Sequence, residues 1–220
     1  MRKVIAFSLW GDKPIYNMGF LHNYGLKRKF YKDWEIILYH DESIDQIVKD
    51  FIVSNNIESY DMTGSKIPGE FWRFLSNDLK DVEYSIFRDC DSRIGLREEL
   101  AVKEWIESGN ILHVMRDHPA HRIPLGVNGM GMLAGMWGIK SGNINMTERL
   151  EQFVNENKLI WGSDQTFIYE IYKEFQDSIT LHDPFFSNKP FPIKRDNKHF
   201  IGERIDENNN RVGQDYMMLK

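Results

Sequence analysis

Apolar and polar positions follow two rhythms along this chain, and the rhythms take turns. Short, mostly apolar runs read as strands: "KVIAFSLW" (3–10), "WEIILYH" (34–40), "SYDM" (59–62), "YSIFRD" (84–89) and "ILHVMRD" (111–117). Helical stretches separate them: the polar and aromatic segment up to residue 33, then "SIDQIVKDFIVSNN" (43–56). In "PGEFWRFLSNDL" (68–79), Pro68 opens a short helix and Phe71 and Leu75 lie four apart. "LREELAVKEWIESGN" (96–110) sets Leu96, Leu100, Ala101 and Trp105 on one face, with Glu98 and Glu99 in its early turns and Gly109 as its stop. Further helices are expected over 147–157 and from Ser163, where Phe167, Ile171 and Phe175 recur at spacing four.

This alternation predicts an α/β fold with a mostly parallel sheet flanked by helices on both faces. In open sheets of that kind, ligands bind beyond the carboxyl ends of the strands. "FRDCDSR" (87–93) falls at such an end.

Length and composition narrow the picture. With 220 residues there is room for one α/β domain with a sizeable core, expected over 1–195, and an Asn-, Lys- and Pro-rich segment over 196–220 that wraps it. A net charge of -5 argues against a mainly electrostatic nucleic-acid binder, so any anionic ligand needs local compensation. The single cysteine, Cys90, excludes an internal disulfide framework and suits a reducing compartment, the cytoplasm (of the host cell, for a viral protein). The opening "MRKVIAFSLWGD" reads as a strand rather than a leader, and no run is long and apolar enough for a transmembrane segment. The sequon at Asn145 is then expected to carry no glycan.

Candidate chemistry gathers at the strand ends. Asp-x-Asp by itself is weak evidence, because seventeen aspartates scattered at random would give about one such pair. Position strengthens it: a hydrophobic strand delivers Asp89 and Asp91 into the expected crevice, where hard oxygen ligands suit Mn²⁺ or Mg²⁺ together with substrate phosphates. His118 and His121 follow another strand end, His113 lies within a strand, and His182 in "TLHDPFF" could reach the same ion from afar. Asp164, after the potential N-cap Ser163, either complements a helix N-terminus or is a fixed carboxylate serving as a base or as a hydrogen-bond acceptor for a hydroxyl. Arg73, Arg88, Arg93 and Arg116 are candidate phosphate contacts, each equally a potential ion-pair partner.

The order "SLWGD", "FWRFL", "FRDCDSR", "HVMRDHPAH", "LAGMWGIK", "WGSDQTFIYEIY", "LHDPF" resembles the GT-A-fold glycosyltransferases. More narrowly, it is similar to small glycosyltransferase domains of bacterial and large-DNA-virus glycan synthesis carrying an "FRD-x-DSR" signature. The likeness covers roughly residues 1–200. It implies that Asp89 and Asp91 form a DxD motif, with Asp91 on the metal and Asp89 nearer the ribose or a metal-bound water. His182, or alternatively His199, completes the metal shell. Ser8, Leu9 and Trp10, with Arg73 and Arg88, serve the nucleotide. Gly135, Met136 and Trp137 form the loop beside the donor sugar and acceptor, where His118, Arg116 and Lys140 are also expected. Asp164 is the catalytic base.

The implied activity is metal-dependent, inverting transfer of a sugar from a nucleoside diphosphate donor, UDP-linked, to a glycan hydroxyl. Cys90, the middle residue of the motif, should point away from the ligand face and pack in the core. Two other readings compete. One is a metal-dependent phosphoesterase built from Asp89, Asp91, His118, His121 and His182; the other is a non-catalytic nucleotide-sugar or glycan-binding module.

Overall fold

The computed structural model describes residues 1–122 and 131–219. Its strands are β1 (Arg2–Leu9), β2 (Trp34–His40), β3 (Glu58–Asp61), β4 (Val82–Phe87), β5 (Leu112–Met115), β6 (Trp137–Lys140) and β7 (Ile179–His182). They form one sheet in the order β3-β2-β1-β4-β6-β5-β7. Every neighbouring pair is parallel except the two made by β6, which runs against both β4 and β5. The helices are α1 (Pro14–Phe30), α2 (Gln46–Ser54), α3 (Gly69–Trp72, continued as a 3₁₀ turn to Asp78), α4 (Leu96–Ser108), α5 (Met146–Glu156) and α6 (Ser163–Glu174).

Burial on both faces explains why the strands read as continuous apolar runs. Along β1, Val4 and Ala6 pack on one side with Phe71 and Phe74 of the α3 segment, Leu150 of α5 and Phe167 of α6. Ile5, Phe7 and Leu9 pack on the other with Phe20 of α1, Val48 of α2 and Trp105 of α4. Alternation along the strand therefore sends Ser8 towards α3, and its hydroxyl accepts from the Arg73 backbone N–H at 2.9 Å. No helix among the described residues is long and apolar enough to cross a membrane.

Two strands, β6 and β7, lie outside the runs that the sequence pattern marks as strands. Both β6 and β7 are four residues long, too short for a period to stand out. The glycine in β6 has a packing reason: a Cβ on Gly138 would lie 2.8 Å from Ile86 Cγ2 and 3.0 Å from the Trp105 ring. Ser163 also differs from expectation. Gly162, at φ +84°, is the cap of α6, and the Ser163 hydroxyl instead accepts from the Ile160 N–H at 2.8 Å.

Beyond β7 the chain travels back across the carboxyl ends of the strands. It is tied to Asp117, a fully buried carboxylate that accepts from Arg97 Nε and Nη2 (both 2.9 Å), from Arg195 Nη2 (2.5 Å) and from the Ile201 N–H (3.1 Å). Phe200 then packs tilted against His118 and edge-on to His121.

Candidate active site

The carboxyl end of β4 opens into a cleft of about 180 Å³ bordered by Asp89, Arg73, Asp164, His121, Met136 and Gly202, among others. A chain of contacts fixes its floor. Ser8 holds the backbone of Arg73, and the Arg73 guanidinium, itself buried, reaches the Arg88 carbonyl at 2.9 Å and Asp89 Oδ1 at 2.5 Å. Gly135 lies directly against that carboxylate: a Cβ there would stand 2.0 Å from Asp89 Oδ2. Asp89 is thus held between an arginine and a glycine, with its side chain still 45% exposed to the cleft.

Asp91 faces the returning C-terminal segment. Its carbonyl accepts from the Ile205 N–H at 2.7 Å, and its carboxylate lies 3.1 Å from Arg204 Nε. Burial and the neighbouring charge of Asp89 raise its pKa, with Arg204 opposing. Arg93 holds the two segments together, donating to the carbonyls of Cys90, Ser92 and Asp206 and to Asn209 Oδ1. Cys90 is buried among Ile5, Phe7 and Ile94; burial pushes its thiol pKa up, and its S–H points at the Ser8 carbonyl.

Across the cleft, Asp164 occupies the first turn of α6, where the helix dipole favours a carboxylate, and its Oδ1 accepts from the Gln165 N–H at 2.9 Å. Burial raises its pKa, while the charge of Arg73 opposes that rise. Arg73 therefore serves both Asp89 and Asp164.

Several expected site residues stand elsewhere. Arg88 is buried at the end of β4, pairing with Glu98 at 3.0 Å and donating to the Phe87 and Trp137 carbonyls, so it has no free fork for a phosphate. Arg116 is likewise buried, spent on Asp183 and on the Gly131 carbonyl. Lys140 lies at the far end of the sheet, because antiparallel β6 puts Trp137 opposite Phe87 but Lys140 opposite Tyr84. Trp137 is fully buried against Phe74 and Phe87, leaving Gly135 and Met136 to border the cleft.

The histidines separate too. His182 sits at the end of edge strand β7, three strands from β4 and so roughly 14 Å away across the sheet. There its Nδ1 meets His113 Nε2 at 2.9 Å and its Nε2 meets Glu104 at 3.0 Å. His118 is turned to the Asp215 carbonyl, and His199 pairs with Glu203. His121 does border the cleft, with Nδ1 accepting from the Asp117 N–H. The five-residue phosphoesterase constellation is not assembled. Leu9 is a core residue, whereas Trp10 is 46% exposed and packs edge-on to Trp72 beside Gly69.

Among the described residues no group of three or more His, Cys, Asp or Glu side chains is arranged to hold a metal. Asp89 and Asp91 do fit an ion that takes one or two carboxylates and fills its shell with water and substrate phosphates. The charges agree: Asp89 and Asp164 against Arg73 leave the cleft one charge negative, and Asp91 beside it is offset by Arg204, an arrangement unsuited to a diphosphate without an added cation.

No family model matches this sequence, and no curated protein matches it. Solved structures do. S. aureus TarS 1-349 aligns with a TM-score of 0.54 at 15% identity, over 87% of this chain and 59% of that one. Its complex with UDP-GlcNAc aligns over 100% of this chain and 62% of that one, at 13% identity and the same TM-score of 0.54. A putative glucose-1-phosphate thymidylyltransferase from Bacillus anthracis, solved with a sucrose, also gives 0.54, at 11% identity over 83% of this chain and 86% of that one. The chain spans about three fifths of the length of the TarS structures it matches. Its fold is that of the GT-A-like nucleotide-sugar transferases.

Proposed function

We propose that this protein is a glycosyltransferase that moves a sugar from a nucleoside diphosphate donor, with UDP as the nucleotide, to a glycan hydroxyl with inversion. The observation that carries this reading is Asp164: a fixed, partly desolvated carboxylate across one cleft from Asp89, the first carboxylate of the motif, with Arg73 charge-coupled to both. The TarS fold relative captured with UDP and with UDP-GlcNAc supports the choice of nucleotide.

In this reading Asp164 accepts the acceptor hydroxyl's proton as the oxygen bonds to the anomeric carbon, and the bond from that carbon to the diphosphate breaks with its electron pair leaving on the nucleotide. Burial suits Asp164 to this task, since a raised pKa makes it a stronger base. Asp89, held by Arg73 and Gly135, and Asp91 would hold Mn²⁺ or Mg²⁺. When bound, such an ion neutralises charge developing on the leaving diphosphate. Arg73 keeps Asp89 in place from below.

A second reading, nucleotidyl transfer, is favoured by the thymidylyltransferase among the fold relatives. Its nucleophile would be a sugar phosphate, already an anion, which needs no base and brings further negative charge into a cleft already one charge negative. Asp164 has no task there, so glycosyl transfer fits better.

Thermal shift with UDP, GDP and their sugars, each with and without Mn²⁺, tests the proposal. Stabilisation should require nucleotide and metal together, and indifference to every nucleotide would sink it. Asp164→Asn should keep donor binding and lose about 10²- to 10⁴-fold in kcat. Released UDP marks sugar transfer, whereas released pyrophosphate marks the second reading.

A further inference from the structure

Arg204 lies 113 residues beyond Asp91 in sequence, yet its Nε stands 3.1 Å from the Asp91 carboxylate. Its backbone is fixed. The next residue donates to the Asp91 carbonyl at 2.7 Å, and the Arg204 carbonyl accepts from the Val212 N–H at 2.9 Å. Arg93 and His22 hold the following turn through the carbonyls of Asp206 and Glu207. The side chain itself is 52% exposed, on top of that anchored backbone.

Other arginines around the motif are committed. Arg73 is buried on Asp89, Arg93 is spread over carbonyls and Asn209, and Arg88 and Arg116 are buried in internal pairs. Among the described residues, Arg204 differs in combining one ion pair with solvent access. A divalent ion on Asp91 would sit about 2.1 Å from a carboxylate oxygen, in the space where a guanidinium at 3.1 Å already neutralises it. Two cations this close repel each other, so the ion and the guanidinium compete for the charge of that carboxylate.

Building on the glycosyltransferase reading, we propose that Arg204 is an exchangeable counter-ion. It neutralises Asp91 while the donor is absent, then swings from its fixed backbone to the donor's diphosphate once a divalent cation takes Asp91. A guanidinium fork suits phosphate oxygens as well as it suits a carboxylate. The exchange couples cation and nucleotide binding: the ion alone must compete with Arg204, whereas ion and diphosphate together give that arginine a new partner.

The experiment compares wild type, Arg204→Gln and Arg204→Lys, with Mn²⁺ alone followed by electron paramagnetic resonance of the free ion, and with UDP plus Mn²⁺ followed by calorimetry. Arg204→Gln should bind Mn²⁺ alone about two- to fivefold more tightly, the size of a lost competing ion pair. It should bind UDP with Mn²⁺ about tenfold or more weakly, as expected for a lost charge-assisted contact. Arg204→Lys keeps the charge and loses the fork, so it should leave Mn²⁺ binding near wild type while weakening UDP. If wild type binds both ligands and Arg204→Gln matches it in both, or loses Mn²⁺ affinity, the exchange is overturned. If wild type binds no nucleotide, the transferase reading itself fails, a result separate from the first.

Discussion

A methyl group at position 135 would stand 2.0 Å from Asp89 Oδ2 and 2.4 Å from its carboxyl carbon, so Gly135→Ala has to push the carboxylate off its place beside Arg73. Loss of nucleotide- and metal-dependent thermal stabilisation is expected, with the far-ultraviolet spectrum unchanged. Gly25 on α1 is the control: nothing lies within 4 Å of its virtual Cβ, and Gly25→Ala should stabilise the fold by about 0.5–1 kcal/mol. Cys90→Ala should leave metal dependence intact, because the thiol is buried away from the cleft and burial keeps it protonated. In the proposed transferase, the raised pKa of Asp164 sets the acid limb of the rate. The base is ionised only above its own pKa, so activity should fall on acidification at a pH above the ordinary aspartate value of 3.8, and Asp164→Asn should abolish that limb.

At the scale of elements, the joint of β5, β7 and α4 holds a line of polar groups running inward from exposed Glu104 to buried His182 and His113, with His113 stacked on Trp105. Burial lowers the pKa of His113 and His182, and it pushes His121 down to about 3. The sign follows from proton uptake. Below pH 6.5 the unfolded chain protonates these rings and the folded one does not, so stability is full above pH 6.5 and lost as pH falls towards the folded values. By pH 5 the term for His121 alone comes to about 2 kcal/mol. Asp91 and Asp164, with raised pKa values, contribute oppositely, gaining stability on acidification, but only as pH approaches their own range. A melting temperature that falls between pH 6.5 and 5 is the expected outcome, and His121→Gln should flatten that fall.

Local pattern was enough to read β1, β2, β4, α2 and α4, and to place Asp89, Asp91 and Asp164 at ends of elements, because a strand end or a first helical turn is a local property. Arg88, Arg116 and Lys140 were unreadable for a different reason. Whether an arginine meets a phosphate or a buried glutamate depends on a partner such as Glu98 or Asp183, and the position of Lys140 depends on the direction of a four-residue strand. Arg204 left no signal at all, since its partner lies 113 residues away.

The largest-scale feature is the dependence of the β4 end on chain that arrives after β7. Asp117 gathers Arg97, Arg195 and the Ile201 N–H around one fully buried carboxylate. Asp117→Asn leaves two guanidiniums without their counter-charge, so a loss of roughly 3–5 kcal/mol is expected in denaturant unfolding. Amide exchange in residues 193–212 should accelerate more than in β1 and β4, whose ladders do not involve Asp117.

The same arrangement sets an order of events during synthesis. Strands β1 to β4 and the helices between them are complete once residue 87 has been made, and can pair as they emerge. The loop bearing Asp89 and Asp91 must wait for Ile205, Asp206 and Asn209, which supply the groups that hold it. A nascent chain therefore passes through a stage at which the sheet exists and the cleft has no outer wall. The wall of the proposed donor site is thus supplied by residues 205–209, made long after the strand that carries the motif.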